Sequence, residues 1–148
     1  NMSIPEEINI SGDANKLARV FNNLLKNAIA YGEENSSIDI EAAAMSDRTI
    51  ITIKNKGAIP NDKLNAVFEK FYRLDEARRS KTGGAGLGLA IAKKIVELHS
   101  GTIEAKSDEL ETHFIVTLPN RQMGEEDEVY SYSGRPSRSR AGRIKDRK

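Results

Sequence analysis

Two asparagines, Asn23 and Asn27, stand four residues apart in a stretch whose apolar residues recur at helical spacing, so both lie on one side of a helix. Asparagine is a middling helix former, and a pair beside the apolar stripe suits some task other than helix stability. A neutral amide oxygen can ligate Mg²⁺, whose other ligands are usually waters and phosphate oxygens; two solvent-facing amides are the plain alternative. A second cluster, Asn55-Lys56-Gly57, ends a strand-like run. It reads either as a turn or as a corner where an amide exchanges hydrogen bonds with an adenine edge and glycine lets the ring approach. The third is Gly83-Gly84-Ala85-Gly86-Leu87-Gly88, directly before a helical run. Bare N–H groups at a helix N-terminus form a concave donor site for phosphate oxygens, although a glycine cluster serves equally well as a flexible connection. The spacing is neither GxxxxGK[ST] nor a GxGxxG that follows a strand, which excludes the P-loop and dinucleotide readings.

Elements must hold these clusters in place, and residues 1–119 alternate between two periodicities that supply them. Leu17, Val20, Phe21, Leu24, Leu25 and Ala28 give the i, i+3, i+4 pattern of an amphipathic helix over 13–31, with Asp13 as N-cap. Alternating isoleucines at 38 and 40, and at 51 and 53, predict strands over 37–44 and 49–54 joined by a hairpin at 45–48. Residues 55–60 break the second strand. Leu64, Val67, Phe68 and Phe71 predict a helix over 61–73, and Leu89, Ile91, Ala92, Ile95, Val96 and Leu98 another over 89–99, with Gly101 as its stop. Strands over 102–106 and 113–118 close the domain at Pro119.

Composition narrows the class. The 148 residues include 23 Lys+Arg and 22 Asp+Glu, a formal net charge of +1, so no global field favours nucleic acid or an anionic membrane. The average conceals a division: residues 1–119 hold 15 basic and 17 acidic side chains, residues 120–148 hold 8 and 5. The tail passes from Glu125-Glu126-Asp127-Glu128 into a Ser/Arg/Gly stretch with little apolar surface to offset ordering, and is expected to be disordered. There is no cysteine, which removes disulfides, thiolate metal sites and a cysteine nucleophile; His99 and His113 are too few for a histidine-rich metal cage. No apolar run reaches the roughly 18 residues of a membrane span and the first residues lack a signal-peptide core. The chain as given is read as a soluble cytoplasmic domain.

The segments Asn23-Leu24-Leu25-Lys26-Asn27-Ala28, Asn55-Lys56-Gly57-Ala58-Ile59-Pro60, Val67-Phe68-Glu69-Lys70-Phe71-Tyr72-Arg73 and Gly84-Ala85-Gly86-Leu87-Gly88-Leu89 occur in that order. Together they resemble the N, G1, F and G2 boxes of sensor histidine kinases, over about residues 8–119. The wording of 16–31 and 68–93 is most similar to the vancomycin-resistance kinases of the VanS type. The resemblance implies an α/β (α+β) two-layer sandwich of the Bergerat ATP-binding type, three helices on one face of a mixed five-stranded sheet. It implies ATP and Mg²⁺ as cofactors, with Asn27 as the metal ligand and Asn23 and Arg73 near the chemistry. By position, Tyr31 borders the nucleotide, Asn55 stands where most relatives carry an adenine-binding aspartate, and Gly57 is the matching glycine. Gly84, Gly86 and Gly88 correspond to the lid glycines. Lys26, Ile59, Lys81, Leu87 and Thr112 complete the nucleotide-binding set. The implied partners are a dimerisation and histidine-phosphotransfer domain of the same protein and a response regulator. The resemblance also implies a monomeric fragment on the cytoplasmic side of a membrane protein.

Departures from the family pattern carry their own expectations. An amide at Asn55 lacks the charge that strengthens such hydrogen bonds, so nucleotide affinity is expected to be modest. The G1 box is one residue short. Ala30 replaces a residue that in many relatives reaches the phosphates, and Leu110-Glu111-Thr112 replaces the glycines before the last strand. The helix over 13–31 has no acidic side chain after Asp13. Related ATPases place a water-activating glutamate where Asn23 stands, so phosphoryl transfer is favoured over hydrolysis. Neither His99 nor His113 has the context of a phospho-acceptor, and both read as structural. A non-catalytic nucleotide- or partner-binding module is the rival reading.

Overall fold

The computed structural model describes residues 1–69 and 88–120 and the backbone of residues 129–131. Its elements in chain order are β1 (Met2–Ser3), β2 (Asn9–Ser11), α1 (Ala14–Tyr31), β3 (Ile38–Ala44), β4 (Arg48–Lys56), α2 (Asn61–Leu64), α3 (Gly88–Leu98), β5 (Thr102–Ser107), β6 (Glu111–Pro119) and β7 (Val129–Ser131). Five strands form one sheet in the order β1-β3-β4-β6-β5. Only the β1–β3 pair is parallel. The sheet is therefore mixed and five-stranded, as expected, with an edge strand too short to show any alternation in the sequence.

Period-two alternation decides which face meets the helices. Thr49, Ile51, Ile53 and Asn55 of β4 are buried, as are Thr112, Phe114, Val116 and Leu118 of β6. They pair in register as Thr49↔Leu118, Ile51↔Val116, Ile53↔Phe114 and Asn55↔Thr112. Leu17, Val20, Leu24 and Ala28 of α1 and Ala92, Ile95 and Val96 of α3 are also buried, and most of them join the same core cluster. The apolar ladder thus ends, at one edge of the core, in a polar pair.

Capping follows the sequence at one helix and departs from it at another. Asp13 caps α1, its Oδ1 accepting from the Lys16 N–H at 3.0 Å. His99, 6% exposed, faces the Ile95 carbonyl oxygen with Nδ1 at 2.8 Å and accepts from the Asp13 N–H at Nε2 at 3.0 Å. Both ring nitrogens are committed, which makes this histidine the fastener between the end of α3 and the start of α1. The stop of α3 is displaced by one residue from expectation: Ser100 takes the left-handed conformation, with φ of +59°. Gly101 follows it and donates to the Val96 carbonyl at 2.9 Å, closing a Schellman-type turn. Glycine is still required there, because a Cβ would lie 2.4 Å from the Thr117 carbonyl oxygen and 2.9 Å from Leu118 Cδ2. Gly101→Ala is expected to cost about 2 kcal/mol through overpacking. A drop of roughly 5–8 °C in Tm would register it in a thermal unfolding scan.

Further boundaries differ from the sequence reading; β6 starts at Glu111, two residues early, and β5 runs on to Ser107. β4 runs on through Asn55 and Lys56, because both continue the ladder to Thr112 and Glu111 of β6. The helix expected over 61–73 is α-helical only over Asn61–Leu64; Ala66 and Glu69 then donate to the carbonyls three residues back, tighter turns than an α-helix makes. Residues 70–73 lie outside the described part. Asn120, one residue past the expected domain end, knits the 45–48 hairpin to the rest. Its Nδ2 donates to the Met45 carbonyl at 2.7 Å, its Oδ1 accepts from Thr49 Oγ1 at 3.0 Å, and its carbonyl accepts from Ser11 Oγ at 2.7 Å. Within the segment composition left without order, β7 pairs antiparallel with β2, at the tail's β-prone Val-Tyr dipeptide. No described helix is long and apolar enough to cross a membrane.

Candidate nucleotide-binding site

One row of residues runs across the sheet where the apolar ladder stops: Ile38 of β3 pairs with Asn55 of β4, Asn55 with Thr112 of β6, and Thr112 with Ser107 of β5. Above the polar end of this row is a cleft of about 250 Å³ lined by Asn27 and Tyr31 of α1, Asn55, the corner 57–60, Lys63, Thr112 and Phe114. Its lining brings together six of the residues singled out in the sequence: Asn27, Tyr31, Asn55, Gly57, Ile59 and Thr112. They come from three stretches separated by more than twenty residues each, and the register of β4 and β6 is what collects them.

Asn55 is 5% exposed. Its Nδ2 donates to the Lys56 carbonyl at 3.1 Å, while its Oδ1 accepts no hydrogen bond from a described residue. A buried acceptor without a partner is costly unless something supplies a donor. The exocyclic amine of adenine is such a donor, so the pocket fits that base. Asn27 offers one amide to the cleft, and the described residues hold no cluster of three or more His, Cys, Asp or Glu. That donor set fits Mg²⁺ held chiefly by phosphate oxygens and water, and does not fit a metal caged by protein.

The corner after β4 is held by the neighbouring hairpin. Gly57 adopts φ of +115°, which only glycine tolerates readily, and a Cβ there would come within 3.2 Å of the Tyr31 carbonyl. Its N–H donates to the Leu110 carbonyl at 2.8 Å and its carbonyl accepts from Thr112 Oγ1 at 2.7 Å. The Ile59 N–H donates to Ser107 Oγ at 2.9 Å, and Ser107 Oγ lies 3.1 Å from Thr112 Oγ1. The hairpin itself is tied by Asp108, whose Oδ1 accepts from the N–H groups of Leu110 and Glu111, both at 2.8 Å. Lys63, Ser107 and Asp108 were not picked out in the sequence. A Ser-Asp pair between two strands was the available signal for the last two, since both are turn formers.

Hydrogen bonds from Leu110 and Glu111, in that order, hold the Asp108 carboxyl below its ordinary 3.8. Its folded value lies below its unfolded one, so its contribution to stability is complete above about pH 4 and fades as pH falls through the folded value. Asp108→Asn removes that titration. The stability gap between wild type and variant is expected to narrow steadily below pH 3.8, as measured by urea unfolding at a series of acid pH values.

Other residues of the expected set lie elsewhere. Asn23 does not face the cleft; its Nδ2 donates to the Gly88 carbonyl at 3.1 Å and so joins α1 to the first residue of α3. Lys26 is exposed on α1 and does not line the cleft. Arg73, Lys81, Gly84, Gly86 and Leu87 lie outside the described residues. His113 faces Glu111 Oε2 at 3.0 Å on β6.

A mixed sheet covered on one face by helices, with a polar pocket where that cover ends, defines an α/β ligand-binding domain. Residues 12–122 match the family described as histidine kinase-, DNA gyrase B-, and HSP90-like ATPase, and the chain belongs to that family. The sensor protein VanS of Enterococcus faecium is 62% identical over 115 residues, which cover 78% of this chain and 30% of that protein. The sensor protein kinase WalK of Staphylococcus haemolyticus is 44% identical over 111 residues, covering 72% of this chain and 18% of that protein. Among solved structures, the catalytic domain of the histidine kinase ThkA matches with a TM-score of 0.70 at 28% identity, over 80% of this chain and 78% of that one. The mycobacterial sensor histidine kinase MprB matches with a TM-score of 0.69 at 25% identity, over 83% and 82%. The chain spans less than a third of the length of these two curated relatives.

Proposed function

We propose that the chain is the catalytic and ATP-binding domain of a membrane-anchored sensor histidine kinase, acting on the cytoplasmic side. The observation that carries this is the meeting of Asn27, Asn55 and Gly57 around one cleft, an amide for the metal end and an amide for the base end. In this reading Asn55 Oδ1 accepts from the adenine amine, Tyr31 and Ile59 border the base, and Asn27 supplies one oxygen to Mg²⁺. The metal, when bound, neutralises phosphate charge. The γ-phosphorus–oxygen bond to ADP breaks as a phosphorus–nitrogen bond forms to a histidine imidazole, whose N–H proton passes to solvent. That histidine belongs to a dimerisation domain of the same protein, and a response regulator is the next acceptor. Arg73 and the glycines at 84, 86 and 88 are the proposed phosphate-side and lid residues, and Lys26, Lys81 and Leu87 remain in the proposed nucleotide set. Residues 1–119 form the proposed domain and residues 120–148 a basic tail. The identity to VanS supports a role in vancomycin-resistance signalling.

The direct test is calorimetric titration of the 148-residue chain with ADP and ATP, with and without Mg²⁺. Binding that Mg²⁺ strengthens is expected; none at millimolar nucleotide would sink the reading. The rival, a non-catalytic nucleotide- or partner-binding module, draws on Ala30, Asn55 and the short corner. Following labelled phosphate from ATP onto the histidine-bearing domain separates the two, because transfer excludes the rival.

A further inference from the structure

The corner that borders the base in this reading is fixed in part from outside the nucleotide-binding set. Three hydrogen bonds hold it to the β5–β6 hairpin: Gly57 N–H to the Leu110 carbonyl, Thr112 Oγ1 to the Gly57 carbonyl, and Ile59 N–H to Ser107 Oγ. The first two act at Gly57, at the end of β4. Only the third acts beyond the glycine, where the chain turns towards Pro60. Ser107 holds that position by standing at the end of the register row that contains Asn55 and Thr112, so the group fixing the corner belongs to the same rank of residues that receives the base. Its hydroxyl is oriented in turn by Thr112 Oγ1 at 3.1 Å and the Glu111 carbonyl at 3.1 Å.

We propose that Ser107 is a positioning residue for base recognition: by accepting the Ile59 N–H, it sets the height of the 57–60 corner over Asn55 and so the affinity for the adenine end of the nucleotide. This rests on the nucleotide reading above. Ser107 does not line the cleft, and its bond to Ile59 acts on the corner that borders the base in the proposed reading, so its influence falls on the base half. An alanine leaves the Ile59 N–H without its partner and lets the corner drift. Threonine keeps the hydroxyl and suits a strand.

The test uses the 148-residue chain, titrated with adenosine and with Mg²⁺-ADP, alongside amide hydrogen exchange without ligand. Ser107→Ala is expected to weaken both ligands by the same factor, about five- to tenfold, as the loss of one hydrogen bond implies. It also speeds exchange at Ile59 and not at residues 51–53 in the middle of β4. Ser107→Thr restores both. A variant with a general structural fault instead speeds exchange throughout the sheet and is not rescued by threonine, which overturns the inference. Wild-type affinity for both ligands in Ser107→Ala, when the wild type binds, overturns it alone and leaves the nucleotide reading standing. A wild-type chain that binds neither adenosine nor ADP overturns both.

Discussion

Replacing Asn27 with alanine is expected to leave the domain folded and to lower phosphoryl transfer by about a hundred- to a thousandfold, the usual loss when one preorganised electrostatic partner is removed. Asn27 is half-buried on α1, one residue before the buried Ala28 and three after the buried Leu24, so its truncation opens no cavity in the core. Its amide lines the cleft, where the described residues offer no carboxylate. In the proposed reading, metal positioning therefore falls on one neutral oxygen, with no carboxylate among the described lining residues to take over. Two measurements check this: Mg²⁺ dependence of ADP binding by calorimetry, which should flatten, and adenosine binding, which should not change. Thermal unfolding of the apo variant within a few degrees of wild type completes the expectation, and a collapse of Tm would reassign Asn27 to a structural role.

The second large effect lies at the cleft lining. Phe114→Ala is expected to destabilise the domain by about 3–5 kcal/mol, the range for emptying a buried aromatic site. Phe114 is 1% exposed, pairs with Ile53 across the sheet, and meets the Phe68 ring edge-on at 6.2 Å between centroids. Lys93 Nζ lies 5.7 Å from the far partner's ring centroid, so the stack reaches from the sheet to α3. Removing the Phe114 ring takes from Phe68, and so from the turn residues after α2, their edge-on contact with the sheet, and removes part of the cleft lining. A lower urea midpoint with little change in m would show lost stability without loss of compactness. Phe114→Leu, which keeps most of the volume, should recover about half of the loss.

Much of this arrangement could be read from the chain before any coordinates. The i, i+3, i+4 stripes of α1 and α3 place four and three buried residues where periodicity expects them. The alternation in β4 is legible through Ile51 and Ile53, and the ladder carries it past the expected strand end to bury Asn55. Asn27, Asn55 and Gly57 stood out because each is unusual for its local setting, an amide beside an apolar stripe or a glycine closing a strand. What stayed hidden has physical causes. β1 and β2 are too short for a period-two signal, and their existence depends on partners far along the chain. Asn23 resembles Asn27 in every local respect, and only the approach of Gly88 from α3 assigns it a different bond. Ser107 is an ordinary strand-end serine until the register places it opposite Thr112. Local pattern foretells which face a residue takes; it does not foretell which distant backbone group will arrive there.

The strand order has a consequence for biogenesis. β6 occupies the sheet between β4 and β5, yet follows both in the chain. Until residues 111–119 leave the ribosome, β4 has no neighbour on that side, β5 has none at all, and Phe114, Val116 and Leu118 are missing from the core. A nascent chain that ends before β6 has no closed core to hold. Its exposed edge is open to pairing with other chains. The same strand therefore completes both the core and the cleft, since Thr112 and Phe114 belong to both. Cellular nucleotide would then act as a ligand of the finished fold only, drawing newly made chains toward the native state by mass action.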